Sequence, residues 1–248
     1  MNMRQIYDAH AHLGTEEERQ VREKQGIITL FSVSDGEEAK QAFVIENQKK
    51  GYVSFGIHPW NAEKIRFDDV KNELEQATII GEIGLDSVWC DVPLEVQEQV
   101  FIRQLKFAVS KKKPVVLHTK GQEKNIAEMI KDYPNRYLVH WYSDENSDGF
   151  YDYLAMGCYF TVGPDGEKNP AVRKVVREVP LNRLMVETDG WPAVCWALGE
   201  MPLEKMREIL ENNISFIAKE KGIDEEIVEK QLERNFKEFT GKKFKGAD

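Results

Sequence analysis

Short apolar segments recur along this chain, and most are followed by a longer, polar, amphipathic stretch. The segments are rich in β-branched and aromatic residues, which suit the pleated surface of a strand. Eight strands are predicted, over residues 4–10, 26–33, 52–57, 78–83, 114–118, 137–141, 157–162 and 183–187. Helices or helix-capable segments are predicted over residues 15–25, 37–50, 61–76, 93–112, 122–132, 146–156, 168–178, 203–221 and 224–239.

This alternation of strands and helices predicts a parallel sheet whose faces are covered by helices. A count of eight strands favours a closed (β/α)8 TIM barrel over an open, doubly wound sheet. No Gly-x-Gly-x-x-Gly sequence follows any predicted strand, and neither a linker nor an internal repeat is visible. We therefore expect one α/β domain over residues 1–248.

Composition limits the classes of function. The net charge of −9 argues against non-specific nucleic-acid binding through a broad basic face, although it allows a local basic pocket. The three cysteines, Cys90, Cys158 and Cys195, are far apart and form no Cys-x-x-Cys pair, as is typical of reduced thiols. The chain opens without a recognisable signal peptide and has no apolar run of membrane-spanning length, so we expect a soluble cytoplasmic protein.

The histidines are the strongest indication of chemistry. All five, His10, His12, His58, His118 and His140, fall at the ends of predicted strands. Side chains at i and i+2 of a strand point to the same side, so His10 and His12 can converge on one point.

Two acidic residues also fall at strand ends, Glu82 at the end of the fourth strand and Asp189 just after the eighth. Reactive groups of a TIM barrel lie at the carboxyl ends of its strands, so these residues are expected at one barrel mouth. A lone histidine at such a position is more often structural. Ligands arriving together from five strands instead predict a divalent-metal site with mixed nitrogen and oxygen ligands.

The chain resembles the TatD-type metal-dependent hydrolases, a branch of the amidohydrolase-like TIM barrels. The resemblance spans nearly the whole chain, in the family's order. It is carried by Asp8-x-His10-x-His12-Leu13, Gly56-Ile57-His58-Pro59, Gly81-Glu82-Ile83-Gly84-Leu85-Asp86, Pro114-Val115-x-x-His118, His140-x-x-Ser143, Glu187-Thr188-Asp189 and Asn235-Phe236.

The resemblance implies a divalent-metal phosphodiesterase, typically a 3′–5′ exodeoxyribonuclease, with one or two ions of Mg, Mn, Zn, Co or Ni. One metal would take His10, His12, Glu82 and Asp189, and the second would take His118 and His140, with Glu82 bridging. Two ions about 3.5–4 Å apart can activate a water and clamp a phosphodiester. Glu82 and Asp189 are the expected catalytic residues, Asp189 orienting the water or accepting its proton.

Substrate contacts are predicted for His58, Lys120, Trp141 and Ser143. For His58 two readings stay open, a hydrogen bond to a substrate phosphate or packing beside Pro59. Lys120 stands where the family often has Arg, which keeps the charge but loses the two-pronged phosphate contact.

Two further departures concern the substrate. The segment Trp141-Tyr142-Ser143-Asp144 replaces the usual Cys-Phe-Ser-Gly, and Asp144 is expected to place a carboxylate near the mouth, where it would disfavour a polyanion. The connection over residues 15–25 is shorter than is usual after the first strand.

Four tryptophans, Trp60, Trp89, Trp141 and Trp191, lie within three residues of a strand-end motif. They either stack flat groups of the substrate or pack loops onto the barrel.

The leading hypothesis is a phosphodiesterase that uses a metal-activated water on DNA or a small phosphodiester, with no membrane and no obligate protein partner. One alternative is an amidohydrolase-like enzyme acting on an amide, a lactone or another small ester. Many such enzymes bridge two metals with a modified Lys at strand four, where this chain has Glu82. The other alternative is a non-catalytic metal-binding barrel.

Overall fold

The computed structural model describes residues 4–146 and 149–241. Its eight strands are β1 Ile6–His12, β2 Ile27–Val33, β3 Gly51–Phe55, β4 Ile79–Asp86, β5 Val115–Lys120, β6 Tyr137–Val139, β7 Tyr159–Val162 and β8 Leu184–Val186. Each strand pairs in parallel with the next one along the chain. A parallel bridge between Ala11 and Asp189 joins the two ends of the sheet. The (β/α)8 TIM barrel is thus confirmed.

The α-helices of the described residues lie outside this barrel or close its end. They are α1 Glu16–Lys24, α2 Gly36–Asn47, α3 Lys71–Gln76, α4 Leu94–Lys111, α5 Glu123–Ile130, α6 Phe150–Ala155, α7 Pro170–Glu178, α8 Trp191–Leu198, α9 Met206–Lys221 and α10 Glu225–Phe239. Within the described ranges, no helix combines the length and the apolar character needed to cross a bilayer.

The barrel interior is filled by one apolar residue from every strand. These residues are Ala9, Leu30, Tyr52, Ile79, Val116, Leu138, Tyr159 and Met185, and they pack with Phe236 and Phe239 of α10. A second, larger cluster lies between the strands and the surrounding helices. The interior of the barrel is therefore a packed core, which leaves the carboxyl end of the strands for the site.

Two strands change register where the chemistry begins. The pairing of β1 with β2 shifts between Asp8 and Ala11, and that of β4 with β5 shifts between Ile80 and Ile83. Such irregularities re-aim side chains and are frequent beside active sites. The shifted segments carry His10 and Glu82.

Several predicted boundaries were wrong. β4 and β5 continue to Asp86 and Lys120 because these ends pair with each other. The helix predicted over 61–76 forms only over α3. Before it, a short 3-10 turn at Pro59–Asn61 leads into an irregular path that still buries Phe67 and Val70.

Two observed helices differ from the predicted ones. The helix α8 was not predicted at all, because its sequence WPAVCWAL has no polar face that would mark it as amphipathic. The helix predicted over 146–156 includes residues 147 and 148, which lie outside the described residues, and the observed helix is α6.

Candidate metal centre

The structure brings all six predicted ligands together at the carboxyl end of the barrel. His10 and His12 come from β1, Glu82 from β4 and His118 from β5. His140 directly follows β6, and Asp189 is the third residue after β8. Three groups of potential ligand atoms form there, each with its atoms within 4.8 Å of one another: His10, His12 and Asp189; His10, Glu82 and His140; His58, Glu82 and His118.

The first group lies at the junction of β1 and β8. Oδ1 of Asp189 is 3.2 Å from Nε2 of His10 and 3.7 Å from Nε2 of His12. His10 is completely buried, whereas the His12 side chain is 59% exposed. One side of this group is therefore open to the cavity above it.

Glu82 connects the first group to the others. Its Oε1 lies 2.7 Å from Nδ1 of His118 and 2.8 Å from Nε2 of His140. Its Oε2 faces the other way, 3.5 Å from Nε2 of His10 and 4.0 Å from Nε2 of His12. One carboxylate thus faces histidines on both sides, which is the geometry that a bridging ligand requires.

His58 belongs to this cluster more closely than the sequence indicated. Its Nε2 lies 3.6 Å from Oε1 of Glu82, and its Nδ1 accepts a hydrogen bond from the backbone N–H of Trp60 at 3.2 Å. With Nδ1 accepting this bond, the neutral ring carries its proton on Nε2, so His58 directs an N–H towards Glu82 and is available as a hydrogen-bond donor to that carboxylate or to a substrate phosphate.

Two carboxylates lie behind the histidines of this side. Oδ2 of Asp86 is 3.0 Å from Nε2 of His118, and Oε1 of Glu187 is 3.5 Å from Nδ1 of His140. Carboxylates in this position fix the tautomer and orientation of a ligating histidine and raise its basicity. Neither role had been assigned from the sequence, although both residues fall inside the quoted motifs.

Asp86 is itself held in place by several donors. Its Oδ1 accepts the backbone N–H groups of Val88 and Trp89 at 2.8 and 2.9 Å, and its Oδ2 accepts the Trp60 indole N–H at 2.7 Å. Burial raises the pKa of this carboxyl, but the hydrogen bonds from His118 and from these N–H groups lower it below its ordinary value. Asp86 therefore stays an anion behind His118.

The electrostatics of the cluster favour added positive charge. Burial raises the pKa of Glu82, but the surrounding histidines, His140 and His58 first, hold it well below its ordinary value. At His10, burial and His140 lower the pKa, yet the carboxylates of Asp189 and Glu82 outweigh them and raise it to about 9. The cluster thus stabilises a cation in its centre.

Unpartnered buried atoms point to the same conclusion. Among the described residues, Nε2 of His10, Oε2 of Glu82 and Oδ1 of Asp189 are buried without a hydrogen-bond partner, and Nε2 of His10 lies within 3.5 Å of both oxygens. A buried polar atom is costly unless it is paired. Imidazole nitrogens and carboxylate oxygens that converge in this way fit a divalent ion of the Zn, Mn, Co or Ni type.

A buried ion pair holds β1 and β8 in register below the first group. Arg22 of α1 contacts Oδ2 of Asp8 at 2.5 Å and donates to the Thr188 hydroxyl at 2.9 Å. Asp8 in turn accepts the Thr188 hydroxyl at 2.6 Å and the Thr188 backbone N–H at 3.0 Å. These bonds fix the segment in which Asp189 adopts a positive φ of 58°.

A cavity of about 510 Å³ opens above the cluster. His58, Lys120, Trp141 and Ser143, the four predicted substrate contacts, all line it. Asp144 does not line this cavity but an adjacent depression, together with Gly121 and residues of α5, so its unfavourable effect on a polyanion stays a prediction.

Three of the predicted tryptophans, Trp60, Trp89 and Trp141, line the same cavity as the candidate ligands. Trp191 and Trp141 are partly buried and pack against the core. Stacking on a substrate stays a prediction for the three that line the cavity. A fourth lining tryptophan, Trp196, was missed because it lies within α8, away from any strand-end motif.

The TIM barrel and the cluster of histidines and carboxylates at its mouth define the class, a metal-dependent hydrolase. Residues 7–241 match the family described as TatD related DNase. The chain belongs to this family.

The chain is similar to one solved structure in fold and to two relatives in sequence. A TatD homologue from Escherichia coli K12, YJJV, superposes with a TM-score of 0.80 at 22% identity, covering 94% of this chain and 97% of that one. The human 3′-5′ RNA nuclease TATDN2 is 33% identical over 149 residues, or 55% of this chain, which spans 20% of that protein's length. The metal-dependent hydrolase YabD of Bacillus subtilis is 27% identical, with 74% of this chain and 79% of that protein covered.

Proposed function

We propose that this protein is a divalent-metal-dependent phosphodiesterase that removes nucleotides from the 3′ end of a polynucleotide strand. The observation that carries the proposal is the carboxylate of Glu82, which faces histidines on both of its sides at the floor of an open cavity. The family description supports DNA as the substrate, and the human relative's name supports the 3′–5′ polarity.

His10, His12, Glu82, His118, His140 and Asp189 are proposed as the ligands, with the Nε2–H of His58 as a hydrogen-bond donor beside them. These residues would hold one or two divalent ions, which would supply a water of lowered pKa and polarisation of a phosphoryl oxygen. Asp189 lines the cavity and is proposed to orient the attacking water or accept its proton. Asp86 and Glu187 keep His118 and His140 in the orientation that presents a nitrogen to the cluster.

Lys120 and Ser143 are proposed to bind a phosphate next to the one that is cleaved. Nζ of Lys120 lies 3.2 Å from Oγ of Ser143, so one phosphate oxygen can contact both groups. The ammonium supplies a point charge rather than the two-pronged contact of an arginine. A cytoplasmic location, which the free Cys90, Cys158 and Cys195 support, completes the proposal.

The test is hydrolysis of single-stranded DNA labelled at its 5′ end. Protein loaded with Mg²⁺, Mn²⁺, Co²⁺ or Zn²⁺ is expected to shorten the label stepwise, and the Glu82→Ala variant is expected to lose this activity because both sides of the cluster lose a shared ligand. Glu95→Ala is the matched control, since Glu95 is an exposed glutamate in the first turn of α4. Equal activity in Glu82→Ala would contradict the proposed role of the cluster.

A substrate panel separates the proposal from its rivals. Hydrolysis of lactones or amides without hydrolysis of phosphodiesters would favour the amidohydrolase-like alternative. Isothermal titration that detects no bound divalent metal would instead favour a barrel without this catalytic centre.

A further inference from the structure

Three tryptophans form a group of perpendicular rings on the wall of the mouth cavity. The ring centroid of Trp196 lies 6.1 Å from that of Trp89 and 6.1 Å from that of Trp141, at interplanar angles of 78° and 76°. They come from three different segments, the loop after β4, the loop after β6 and the helix α8. We refer to Trp89, Trp141 and Trp196 as the tryptophan cradle.

The cradle exposes an unusual amount of indole surface to water. Trp196 is 72% exposed and Trp89 is 53% exposed. A single exposed apolar side chain needs no explanation, but a cluster of them beside a functional site marks a binding surface. The cradle shares its cavity with His12, Glu82 and the other candidate ligands, so whatever covers these rings also approaches the cluster.

The cradle is held rigidly on one side and free on the other. The Trp141 indole N–H donates to Oδ1 of Asp165 at 2.8 Å, and its ring lies so close to Gly163 that a Cβ there would approach it to 2.6 Å. Trp196, at the other end of the contact, is the most exposed of the three. The positioned ring of Trp141 thus supports the exposed ring of Trp196 through their perpendicular contact.

Charge beside the rings indicates the chemistry of that ligand. Nζ of Lys120 lies 4.4 Å from the centroid of the Trp89 ring and also reaches Ser143. A flat group that stacks on the cradle therefore has a cation next to it. A nucleotide has this composition, because each base has a π-face and is linked through its sugar to a negatively charged phosphate.

We infer that the tryptophan cradle is a nucleobase subsite, in which Trp196 stacks on an unpaired base of the strand being cleaved. This inference rests on the proposed phosphodiesterase function and adds what the enzyme recognises besides phosphate. Base–aromatic stacking tolerates all sequences, since every base offers a face, but it requires that the base be present and unpaired. The subsite thus selects single strands that carry bases over bare phosphodiester backbones.

The hydrolytic test compares an oligothymidylate with the same strand carrying an abasic tetrahydrofuran residue at its 3′ end. Wild-type protein is expected to prefer the intact strand by roughly ten- to a hundredfold in kcat/KM. Trp196→Ala is expected to lose that preference, by slowing the intact strand while leaving the abasic one nearly unchanged. Trp196→Phe keeps an aromatic face and is expected to retain most of the preference.

Tyr151→Ala is the matched control, because Tyr151 is an aromatic residue that is 57% exposed and does not line the cavity. It should leave both rates as they are. An equal loss of activity on both strands in Trp196→Ala, or no preference in the wild type, would overturn the inference.

A binding measurement separates this inference from the proposed function. A phosphorothioate oligothymidylate, which resists hydrolysis, is titrated into the Mn²⁺-loaded protein while tryptophan fluorescence is followed. The wild-type protein is expected to show quenching with the oligothymidylate and none with the same backbone without bases. Trp196→Ala is expected to bind the oligothymidylate about tenfold or more weakly. These results would support the cradle even where no phosphodiester is cleaved. Equal binding of the backbone without bases would contradict the cradle, whereas absence of hydrolysis with intact base-dependent binding would contradict only the proposed reaction.

Discussion

The two sides of the candidate metal centre are built in different ways. On the β1–β8 side, formed by His10, His12 and Asp189, the support acts on the backbone: Asp8 and Arg22 hold Thr188 and thereby the turn that carries Asp189. On the β4–β6 side, formed by Glu82, His118 and His140, carboxylates contact the imidazole rings themselves.

This difference separates two tasks that a metal site has to perform. A buried ion pair with hydrogen bonds to the backbone fixes the position of the first strand relative to the last. A carboxylate behind a histidine ring instead sets the basicity and the tautomer of that histidine. Substitutions on the β1–β8 side are therefore expected to lower the stability of the fold, whereas those on the β4–β6 side are expected to lower the metal affinity.

The largest effect is expected from Arg22→Met on the β1–β8 side. Arg22 and Asp8 are buried, so the substitution leaves an uncompensated carboxylate in the core and should lower the free energy of unfolding by about 3–5 kcal/mol. Urea denaturation measures this change. Arg103→Met, which removes an exposed ion pair with Asp68, is the control and should hardly alter the midpoint.

A second variant tests whether the loss of stability comes from the unpaired charge of Asp8. Adding Asp8→Asn to Arg22→Met should recover part of the lost stability, because the unpaired anion is removed while an acceptor for the Thr188 N–H remains. A stability loss below 1 kcal/mol in the single variant would show that the ion pair is not what joins β1 to β8.

An intermediate effect is expected from Asp86→Asn on the β4–β6 side. The amide removes the anion behind His118, so metal affinity should fall roughly ten- to a hundredfold while the barrel stays folded. Competition with a chromophoric chelator measures the affinity, and circular dichroism measures the fold.

Asp35→Asn is the matched control for Asp86→Asn. Asp35 also accepts two backbone N–H groups, at the start of α2, but the structure places no histidine ring against its carboxylate. Its substitution should leave the metal affinity as it is. Equal losses in both variants would mean that turn geometry, rather than the carboxylate behind His118, decides the affinity.

The smallest effect is expected from Lys120→Met, which tests whether the β4–β6 side also binds substrate. The partly exposed ammonium is expected to contribute two- to fivefold to kcat/KM for an oligonucleotide at low ionic strength. High salt should remove the difference between the variant and the wild type. Lys124→Met, on the neighbouring helix α5, is the control. An equal loss of kcat/KM in that variant would show that Lys120 acts only through the general surface charge.

Much of the site could be predicted from sequence because a parallel barrel converts order along the chain into position in space. His118 lies in the last part of β5 and Asp189 lies just after β8, and all strands end at one mouth, so residue type and place were sufficient to group such residues. The same reasoning set His58 apart, although it follows β3 in the same way. Its orientation depends on the Trp60 N–H that engages Nδ1, a contact that no spacing rule contains.

The roles of Asp86, Glu187 and Asp8 needed three-dimensional contacts for the same reason. Each lies in a motif that the sequence singled out, but what a carboxylate does depends on the ring or the backbone group it meets. Asp144 also needed the structure, because its proximity to Ser143 in sequence does not show that it lines the adjacent depression rather than the cavity itself.

By itself the sequence determined the barrel, the residue types of the candidate ligands and their position at one end of the barrel. Apolar periodicity and strand order can be read along the chain, and the parallel topology then fixes which strand ends lie together. Only the tertiary structure decided the register shifts that aim His10 and Glu82, the carboxylates behind the histidines, and the meeting of Trp89, Trp141 and Trp196. These features arise where segments far apart in the chain come into contact. The geometry of such a contact is set by the packing of the whole barrel, not by any one stretch of residues.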